Sequence, residues 1–238
     1  MSKEWKNNIN EEIEVYKNIT TQKEHEKKLI EIIESENQLS NQHILDVGCA
    51  SGNFIHSLRE KFSEIHLDGF DISEDLIDLA KKRNLDKCNF FVSDIKTFDP
   101  NKKYDIIIAS GVMSYFEDFI KPMERWLSWL NKIGKLYIFG RFNSHDIDTI
   151  IYHRNNYHDN PKWTGGLTSY SIGSVSRFLD QKSVKYEFID FNLSIDLDKK
   201  DNPITTYSIM TENGKKIILN GANIIAEQFF LSISKTNN

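Results

Sequence analysis

The chain has 238 residues, of which 39% are hydrophobic and 12% are aromatic, and its formal net charge is -5 at pH 7. This length and apolar content fit one α/β domain with an added element and exclude wholesale disorder. The acidic balance gives no general attraction for a phosphate backbone, so we expect no nucleic-acid partner.

The cysteines and the N-terminal segment indicate the cellular compartment in which the protein is expected. The two cysteines, Cys49 and Cys88, have the spacing of neither a disulfide framework nor a zinc site. The first residues are polar, without the apolar run of a signal peptide, and no stretch of about 18 apolar residues predicts a membrane span. We therefore expect a cytoplasmic protein without membrane contact.

The first 40 residues predict helices. Apolar residues recur at three- and four-residue steps among charged ones between Asn10 and Ser40. Residues 20–24 interrupt this pattern, which favours a second helix with Thr20 or Thr21 as its N-cap.

Strands and helices alternate between residues 41 and 140. Apolar runs predict strands, the segments between them predict helices, and Gly134 is expected to end the last of these helices. The predicted strands are 43–47, 65–71, 89–94, 104–109 and 135–139. Such alternation indicates a parallel sheet with right-handed crossovers, and strands this apolar fit a sheet covered on both faces.

The alternation lapses after Gly140. Residues 141–170 read as irregular, and a helix is predicted at 172–181. Strand-like runs follow at 185–195, 204–210, 216–219 and 224–232. The pair Asn213-Gly214 predicts a hairpin turn because it tolerates positive φ angles. The C-terminal part is therefore expected to be antiparallel.

A loop of small residues, Gly48 to Gly52, joins the first strand to the next helix. Small residues let a ligand approach the backbone, and loop amides can donate hydrogen bonds to it. The loop lacks the Gly-x-Gly-x-x-Gly spacing of dinucleotide enzymes, and the chain contains no P-loop motif. A tight strand–helix turn without a ligand is the alternative interpretation.

Two acidic residues end the next two strands. Asp71 can accept hydrogen bonds from both hydroxyls of a ribose, or it can help Ser73 to cap a helix. Asp94 can accept a hydrogen bond from an exocyclic amine such as adenine N6, or it can form an N-cap or a solvated turn.

These segments resemble the ordered motifs of class I S-adenosyl-L-methionine-dependent methyltransferases. The motifs are Ile44–Phe54, Phe70–Asp71, Ser93–Ile95 and Tyr104–Ser110. The resemblance is specific over about residues 40–140 and looser elsewhere. It implies an α/β fold: a Rossmann-like, mostly parallel sheet of seven strands that ends in an antiparallel hairpin. The cofactor would be S-adenosyl-L-methionine, strands 185–195 and 224–232 would form the hairpin, and residues 204–219 would be a β insertion in it.

The resemblance also assigns cofactor contacts by position. Asp46 and Gly48 would shape the loop beneath the methionine part, with backbone from Gly48, Cys49 and Ala50 near its amino and carboxylate groups. Many family members have glycine where this chain has Ala50, which is a mild change. We interpret Cys49 as a buried small residue, not as a nucleophile.

At the adenosine end, Asp71 would bind the ribose, Ile72 would pack on the adenine, and Asp94 and Ile95 would contact the adenine edge. Ser110, followed by Gly111, would lie near the sulfonium.

Methyl transfer requires alignment of the acceptor atom, the methyl carbon and the sulfur, because the cofactor supplies the reactivity. A hydroxyl acceptor also needs a base and an amine must lose a proton, whereas a carboxylate or phosphate oxygen is already anionic.

The catalytic candidates follow the fourth and fifth strands. His145 is the best candidate base because histidine titrates near neutral pH, although the role of an exposed loop histidine is favoured over catalysis. Arg141 would clamp an anionic acceptor, or form a surface salt bridge. Tyr115 would line the acceptor pocket, or simply pack. His153 and His158 are five residues apart, which does not place them on one helix face, so we expect no metal site.

The expected function is methyl transfer to a small polar acceptor, with an oxygen of a sugar or sugar-linked group favoured. The C-terminal segments Asn202–Tyr207 and Phe229–Leu231 resemble those of bacterial methyltransferases for surface polysaccharides and specialised metabolites. The alternatives are N-methylation of a small amine and a non-catalytic, cofactor-binding regulatory protein. The domain 1–238 would comprise a helical cap (1–40), a cofactor-binding core (41–140), and a C-terminal part (141–238) with the acceptor lid, the insertion and the last strands.

Overall fold

The computed structural model describes residues 22–154, 156, 161–201, 205–214, 216–222 and 224–236. Within these ranges the chain forms five α-helices and ten strands. The helices are α1 Glu24–Glu36, α2 Asn53–Lys61, α3 Glu74–Lys82, α4 Ile120–Trp129 and α5 Ile172–Leu179. The strands are β1 His43–Val47, β2 His66–Asp71, β3 Cys88–Val92, β4 Tyr104–Ser110, β5 Leu130–Asn143, β6 Tyr170–Ser171, β7 Val184–Asp190, β8 Tyr207–Met210, β9 Lys216–Leu219 and β10 Gln228–Lys235. None of the described helices is long and apolar enough to span a membrane.

The main sheet has the strand order β3-β2-β1-β4-β5-β10-β7, with the short β6 paired beside β5. Strands β1 to β5 are parallel, and β10 runs antiparallel to both β5 and β7. Strands β8 and β9 form a separate hairpin inserted in the chain between β7 and β10. The seven-stranded, mostly parallel sheet with an antiparallel end and a small β insertion is therefore confirmed, with β6 as an addition.

The sheet is buried on both faces, as its apolar strands predict. Successive side chains of a strand point to opposite faces. In β1, Leu45 belongs to the cluster that contains Trp126 of α4, whereas Ile44 belongs to the cluster that contains Leu29 of α1. Full burial of one such aliphatic side chain contributes about 1.5–3 kcal/mol relative to exposure.

Helix α1 begins later than the threonines suggested. Its N-cap is Lys23, whose backbone N–H donates to the Glu26 carboxylate at 3.1 Å. This bond satisfies a backbone donor at the helix start, as in a capping box. The described part of the chain begins after Thr20 and Thr21, which lie outside it.

Gly134 does not end helix α4, and that prediction was wrong. The helix ends at Trp129, and β5 begins at Leu130. The pairing between β4 and β5 shifts from Tyr104–Leu130 to Ile106–Lys135, so β5 carries an irregularity before Lys135. A Cβ atom on Gly134 would lie 3.0 Å from the carbonyl oxygen of Tyr104. Glycine thus allows a close backbone approach at this strand irregularity and does not end the helix.

Residues 141–170 are more regular than expected. Strand β5 continues to Asn143, and the following excursion is closed by antiparallel bridges between Thr149 and Ser169 and between His153 and Thr164. These bridges pair residues distant in sequence, which a local pattern does not reveal.

The last strands differ in extent from the prediction. Strand β7 ends at Asp190, and β10 covers Gln228–Lys235 instead of 224–232. The two neighbouring strands set this extent. Strand β10 pairs with β5 on one side up to Ser234 and with β7 on the other side up to Lys235. Ile225 instead bridges to Leu219 at the end of β9.

Candidate cofactor and acceptor site

The loop after β1 is fastened to the end of β2 by backbone hydrogen bonds. The amides of Gly48 and Cys49 donate to the Phe70 carbonyl at 2.9 and 3.0 Å, and the Gly52 amide donates to the Cys49 carbonyl at 2.9 Å. The φ angles are 73° at Gly48, 47° at Ala50 and 71° at Gly52. The loop is therefore held in a left-handed shape that small residues adopt most readily.

Asp71 joins this loop to helix α3. Its carboxylate oxygens accept hydrogen bonds from the Ala50 and Ser73 amides, both at 3.0 Å. The side chain of Ser73 itself caps α3 by accepting from the Leu76 amide. A carboxylate has about four lone-pair sites, so Asp71 keeps acceptor capacity for ribose hydroxyls. Burial raises the pKa of Asp71 above its usual value.

Asp46 forms an acidic centre beside this loop. Only 4% of Asp46 is exposed, and burial raises the pKa of this carboxyl to about 8, helped by the nearby charges of Glu26 and Asp71. Burial also raises the pKa of Glu26 on α1. When buried acids destabilise each other's charged forms, a nearby cation stabilises those charged forms. The centre therefore fits a positively charged ligand group.

Glu26 was missed by sequence reasoning. It is buried, and it lies three residues after the N-cap of α1, where an acidic residue normally serves as a capping group. The local sequence pattern is the same whether Glu26 only caps the helix or also acts electrostatically on Asp46.

Cys49 is buried in the core, as its interpretation as a small packing residue predicts. Burial raises the pKa of its thiol well above the usual value, so the reactive thiolate form is disfavoured. A Cβ atom on Gly69 would lie 2.8 Å from its sulfur, which shows how tightly β2 approaches this side chain.

The end of β4 provides open space. Ser110 is the last residue of this strand, and the Gly111 amide donates to the Phe139 carbonyl at 2.8 Å. Gly111 has a φ of +75°, and a Cβ atom built there would meet no described atom within 4 Å. By contrast, a Cβ atom on Gly48 would lie 2.5 Å from a methyl carbon of Val112. The turn after β4 therefore packs on the small-residue loop and leaves room at Gly111.

Asp94 lies in a turn after β3. One of its carboxylate oxygens accepts from the Lys96 amide at 2.9 Å, and its carbonyl accepts from the Phe98 amide at 2.8 Å. Ile95 packs against the core, and Ile72 is half-buried between β2 and α3. The turn-forming role of Asp94 is thus present in the structure, and the adenine contacts of Asp94, Ile95 and Ile72 stay predictions.

A cavity of about 870 Å³ lies beside Ile95 and Tyr115. It extends along the start of α4 and is bordered by Tyr152 and Gly166 of the excursion after β5. A Cβ atom on Gly166 would lie 3.2 Å from the Tyr115 ring, and the Thr168 amide donates to the Ser114 carbonyl at 3.1 Å. The excursion therefore packs directly on the turn that carries Tyr115.

Arg141 lies near the end of β5 and is half-buried. Its Nη1 atom is shielded from solvent and has no hydrogen-bond partner among the described residues. Burial lowers the pKa of its guanidinium, an effect that Tyr115 opposes. The structure thus places these two catalytic candidates close enough to interact electrostatically.

His145 is exposed on the turn after β5, where its amide donates to the Asn143 side chain at 2.9 Å. The adjacent Asp146 forms two hydrogen bonds with Arg177, at 2.8 and 2.9 Å. This position matches the ordinary role of an exposed loop histidine, so a catalytic role for His145 stays a prediction.

The described residues contain no group of three or more histidine, cysteine or acidic side chains able to hold a metal ion. His153 has its Nε2 atom 3.3 Å from the Thr164 hydroxyl. His158, its possible metal-binding companion in the sequence, lies outside the described residues.

Comparison with known proteins gives the family. Residues 38–188 match the family model described as a methyltransferase domain, which is more than half of the chain. The chain therefore belongs to this family. Together with the sheet order and the geometry at the strand ends, this defines a class I S-adenosylmethionine-dependent methyltransferase.

Two relatives illustrate the range of activities. The chain is 31% identical over 96 residues to malonyl-(acyl-carrier protein) O-methyltransferase 1 of Ilyobacter polytropus, which covers 40% of this chain and 36% of that protein. It is 26% identical over 167 residues to the carboxy-S-adenosyl-L-methionine synthase of Campylobacter fetus, which covers 66% and 69%. The chain spans about two fifths of the malonyl-(acyl-carrier protein) O-methyltransferases that it matches.

Solved structures share the fold. One is the plantazolicin methyltransferase BpumL in complex with a triazolic desmethylPZN analogue and S-adenosyl-L-homocysteine (SAH). It gives a TM-score of 0.62 at 16% identity, over 99% of this chain and 93% of that one. The N-methyltransferase NodS of Bradyrhizobium japonicum, in complex with SAH, gives a TM-score of 0.55 at 15% identity, over 90% and 87%.

The described residues fit S-adenosylmethionine. The buried acids at Asp46 suit its ammonium group, Asp71 has acceptor capacity for its ribose, and the space at Gly111 suits its sulfonium end. When bound, this cofactor supplies a methyl group activated for transfer to a nucleophile.

Proposed function

We propose that this chain transfers a methyl group from S-adenosylmethionine to an oxygen of a small polar acceptor that enters from the cavity beside Tyr115. The observation that carries this proposal is that Arg141 and the cavity are linked through Tyr115. Arg141, which has no polar partner among the described residues, interacts electrostatically with Tyr115, and Tyr115 lines a cavity of about 870 Å³. Pockets of this size accommodate small-molecule ligands.

The contribution of the protein is alignment. Asp71 and the loop from Gly48 to Gly52 hold the cofactor, while the turn at Tyr115 and the excursion after β5 position the acceptor and exclude water. Restricting the reactants in this way accounts for much of the rate gained in transfer between two bound molecules.

An oxygen acceptor is favoured over an amine. Several relatives are named O-methyltransferases, although only about two fifths of their length is matched. An amine acceptor is the second candidate function, because NodS, which shares the fold, is named an N-methyltransferase. A sugar or sugar-linked oxygen belongs to the proposal as one acceptor class, and a sugar hydroxyl would require a base such as His145.

The test is a transfer assay with methyl-labelled S-adenosylmethionine and the full chain. The acceptor panel comprises sugars, nucleotide sugars, organic acids, acyl-carrier-protein thioesters and small amines. The proposal predicts label in an oxygen-methylated small molecule. Saturable SAH binding without a labelled product in the whole panel would favour the non-catalytic regulatory protein, and label in the amines alone would favour N-methylation.

A further inference from the structure

Arg141 differs from the other buried or partly buried arginines of the described chain. Arg59 donates to three backbone carbonyls, Arg83 donates to the Ser51 carbonyl, and Arg125 donates to the Phe98 carbonyl. Arg59 and Arg125 each bury one further nitrogen without a partner, but their guanidinium groups are otherwise bonded. No hydrogen bond or ion pair of the Arg141 side chain occurs among the described residues.

A buried charged donor without a partner is unfavourable, because desolvation is not offset by a hydrogen bond. Tyr115 is the titratable group that acts on Arg141 among the described residues, and it is not a carboxylate. The planar guanidinium fork matches the two oxygens of a carboxylate. The missing partner of Arg141 is therefore an anion that arrives with a ligand.

The position of Arg141 indicates which ligand this is. Arg141 lies on β5, which contacts the turn that carries Tyr115, and Tyr115 lines the cavity. The acidic centre at Asp46, by contrast, suits the cationic part of the cofactor. An anion at Arg141 is thus placed on the acceptor side.

The cavity itself is bordered by the carboxylates of Glu117, Asp118 and Glu124, whereas the described titratable groups at the end of β5, where Arg141 lies, are few. Among the described residues near the end of β5, His145 is exposed on a turn, Asp146 is paired with Arg177, and His153 contacts Thr164. A carboxylate oxygen needs no base, because it is nucleophilic without loss of a proton.

We infer that the acceptor is a carboxylic acid whose carboxylate is bound by Arg141, and that this carboxylate receives the methyl group. This inference rests on the proposed function. One carboxylate oxygen forms a bond to the methyl carbon while the carbon–sulfur bond breaks, and the electron pair of that bond stays on sulfur. The products are a methyl ester and a neutral thioether, and no proton is transferred.

Binding is tested first, by calorimetry on the full chain saturated with SAH. The probes are two matched pairs: succinate with succinamide, and glucuronate with glucose. Only the acids are expected to bind, and Arg141→Met should weaken their binding at least tenfold, whereas Arg141→Lys should weaken it less. Arg177→Met removes an exposed arginine that is already paired, and it should leave acid binding unchanged.

The result for Arg141→Met is interpretable only if the variant folds. Because the substitution removes an unpaired buried charge, its melting temperature without ligand is expected to equal or exceed that of the unchanged protein. Equal acid affinity in the unchanged protein and Arg141→Met, or no saturable binding of either acid, would overturn the inference.

The product is tested second. Methyl-labelled product from a carboxylic acid should release labelled methanol in mild alkali, because esters hydrolyse and ethers and methylamines do not. Alkali-stable label would overturn the ester step while supporting the proposed transfer to another group. Acid binding through Arg141 without any labelled product would instead contradict the proposed function and retain the anion site.

Discussion

At the scale of single residues, Asp71 links the loop after β1 to the predicted ribose site. Asp71→Ala should weaken SAH binding by about 1–3 kcal/mol, because hydrogen bonds to a charged acceptor are lost. Isothermal titration calorimetry measures this change, with Asp75→Ala, an exposed acid on α3, as the control. An SAH affinity unchanged by Asp71→Ala would remove Asp71 from the cofactor site.

Ala50 adopts a left-handed conformation, with a φ of 47°. A left-handed backbone is unfavourable for residues with a Cβ atom, so Ala50→Gly should raise the free energy of unfolding by about 0.5–1 kcal/mol. Urea denaturation at constant pH measures this difference. Asn84→Gly, at a φ of 48° on the surface, serves as a comparison site with a similar backbone conformation. Its gain in stability should be smaller, because asparagine tolerates this conformation better than alanine. A lower stability of Ala50→Gly would show that the alanine methyl group packs favourably.

Asp46 should make the stability of the free protein depend on pH. Its pKa is raised from 3.8 to about 8 by burial, so the folded state holds a proton that the unfolded state releases above about pH 4. The stabilising effect of the neutral carboxyl is therefore complete below pH 4 and is lost as the pH rises toward 8. Urea denaturation between pH 5 and pH 8 should show a smaller decrease in stability for Asp46→Asn than for the unchanged protein. Identical decreases would mean that Asp46 is ionised in the folded protein.

At the scale of elements, helix α1 is fixed to the sheet by side chains near its two ends. His25 stacks on Phe139 with ring centroids 4.3 Å apart, and burial lowers the pKa of this histidine to about 3. Glu36 accepts hydrogen bonds from the hydroxyls of Tyr137 and Ser232, at 2.9 and 3.1 Å. These contacts align α1 across β5 and β10, which brings Glu26 toward Asp46.

Glu36→Ala should therefore lower the free energy of unfolding by about 1–3 kcal/mol, because the Tyr137 and Ser232 hydroxyls lose an acceptor. Glu34→Ala on the same helix removes an exposed ion pair with Lys61 and should leave stability nearly unchanged. Chemical denaturation monitored by circular dichroism compares the two variants. Equal losses for Glu34→Ala and Glu36→Ala would show that helix propensity, and not the contact with the sheet, determines the effect.

Element boundaries show where sequence patterns are insufficient. The period of apolar residues located the strands of the parallel core, because burial on both faces produces continuous apolar runs. Gly134 was misplaced because a glycine after a helical pattern and a glycine at a strand irregularity look alike locally. Strand β10 was shifted because its ends depend on pairing with two strands that are distant in the chain.

At the scale of the whole molecule, the motifs predicted the acids at the strand ends, because parallel strands bring their carboxyl ends to one edge of the sheet. The electrostatic effect of Glu26 on Asp46, and the lack of a partner for Arg141 in the described part of the chain, could not be predicted. Both arise from packing between segments that are distant in sequence, α1 against β1 in one case and β5 against the turn at Tyr115 in the other.

The proposed methyl transfer requires the cofactor to lie across the ends of β1, β2 and β4. A crystal structure of the full chain grown with SAH tests this most directly. We predict ribose density within hydrogen-bond distance of Asp71, the amino group beside Asp46, and the sulfur near Gly111. Density for SAH elsewhere, or neighbouring side chains filling this crevice, would contradict the account.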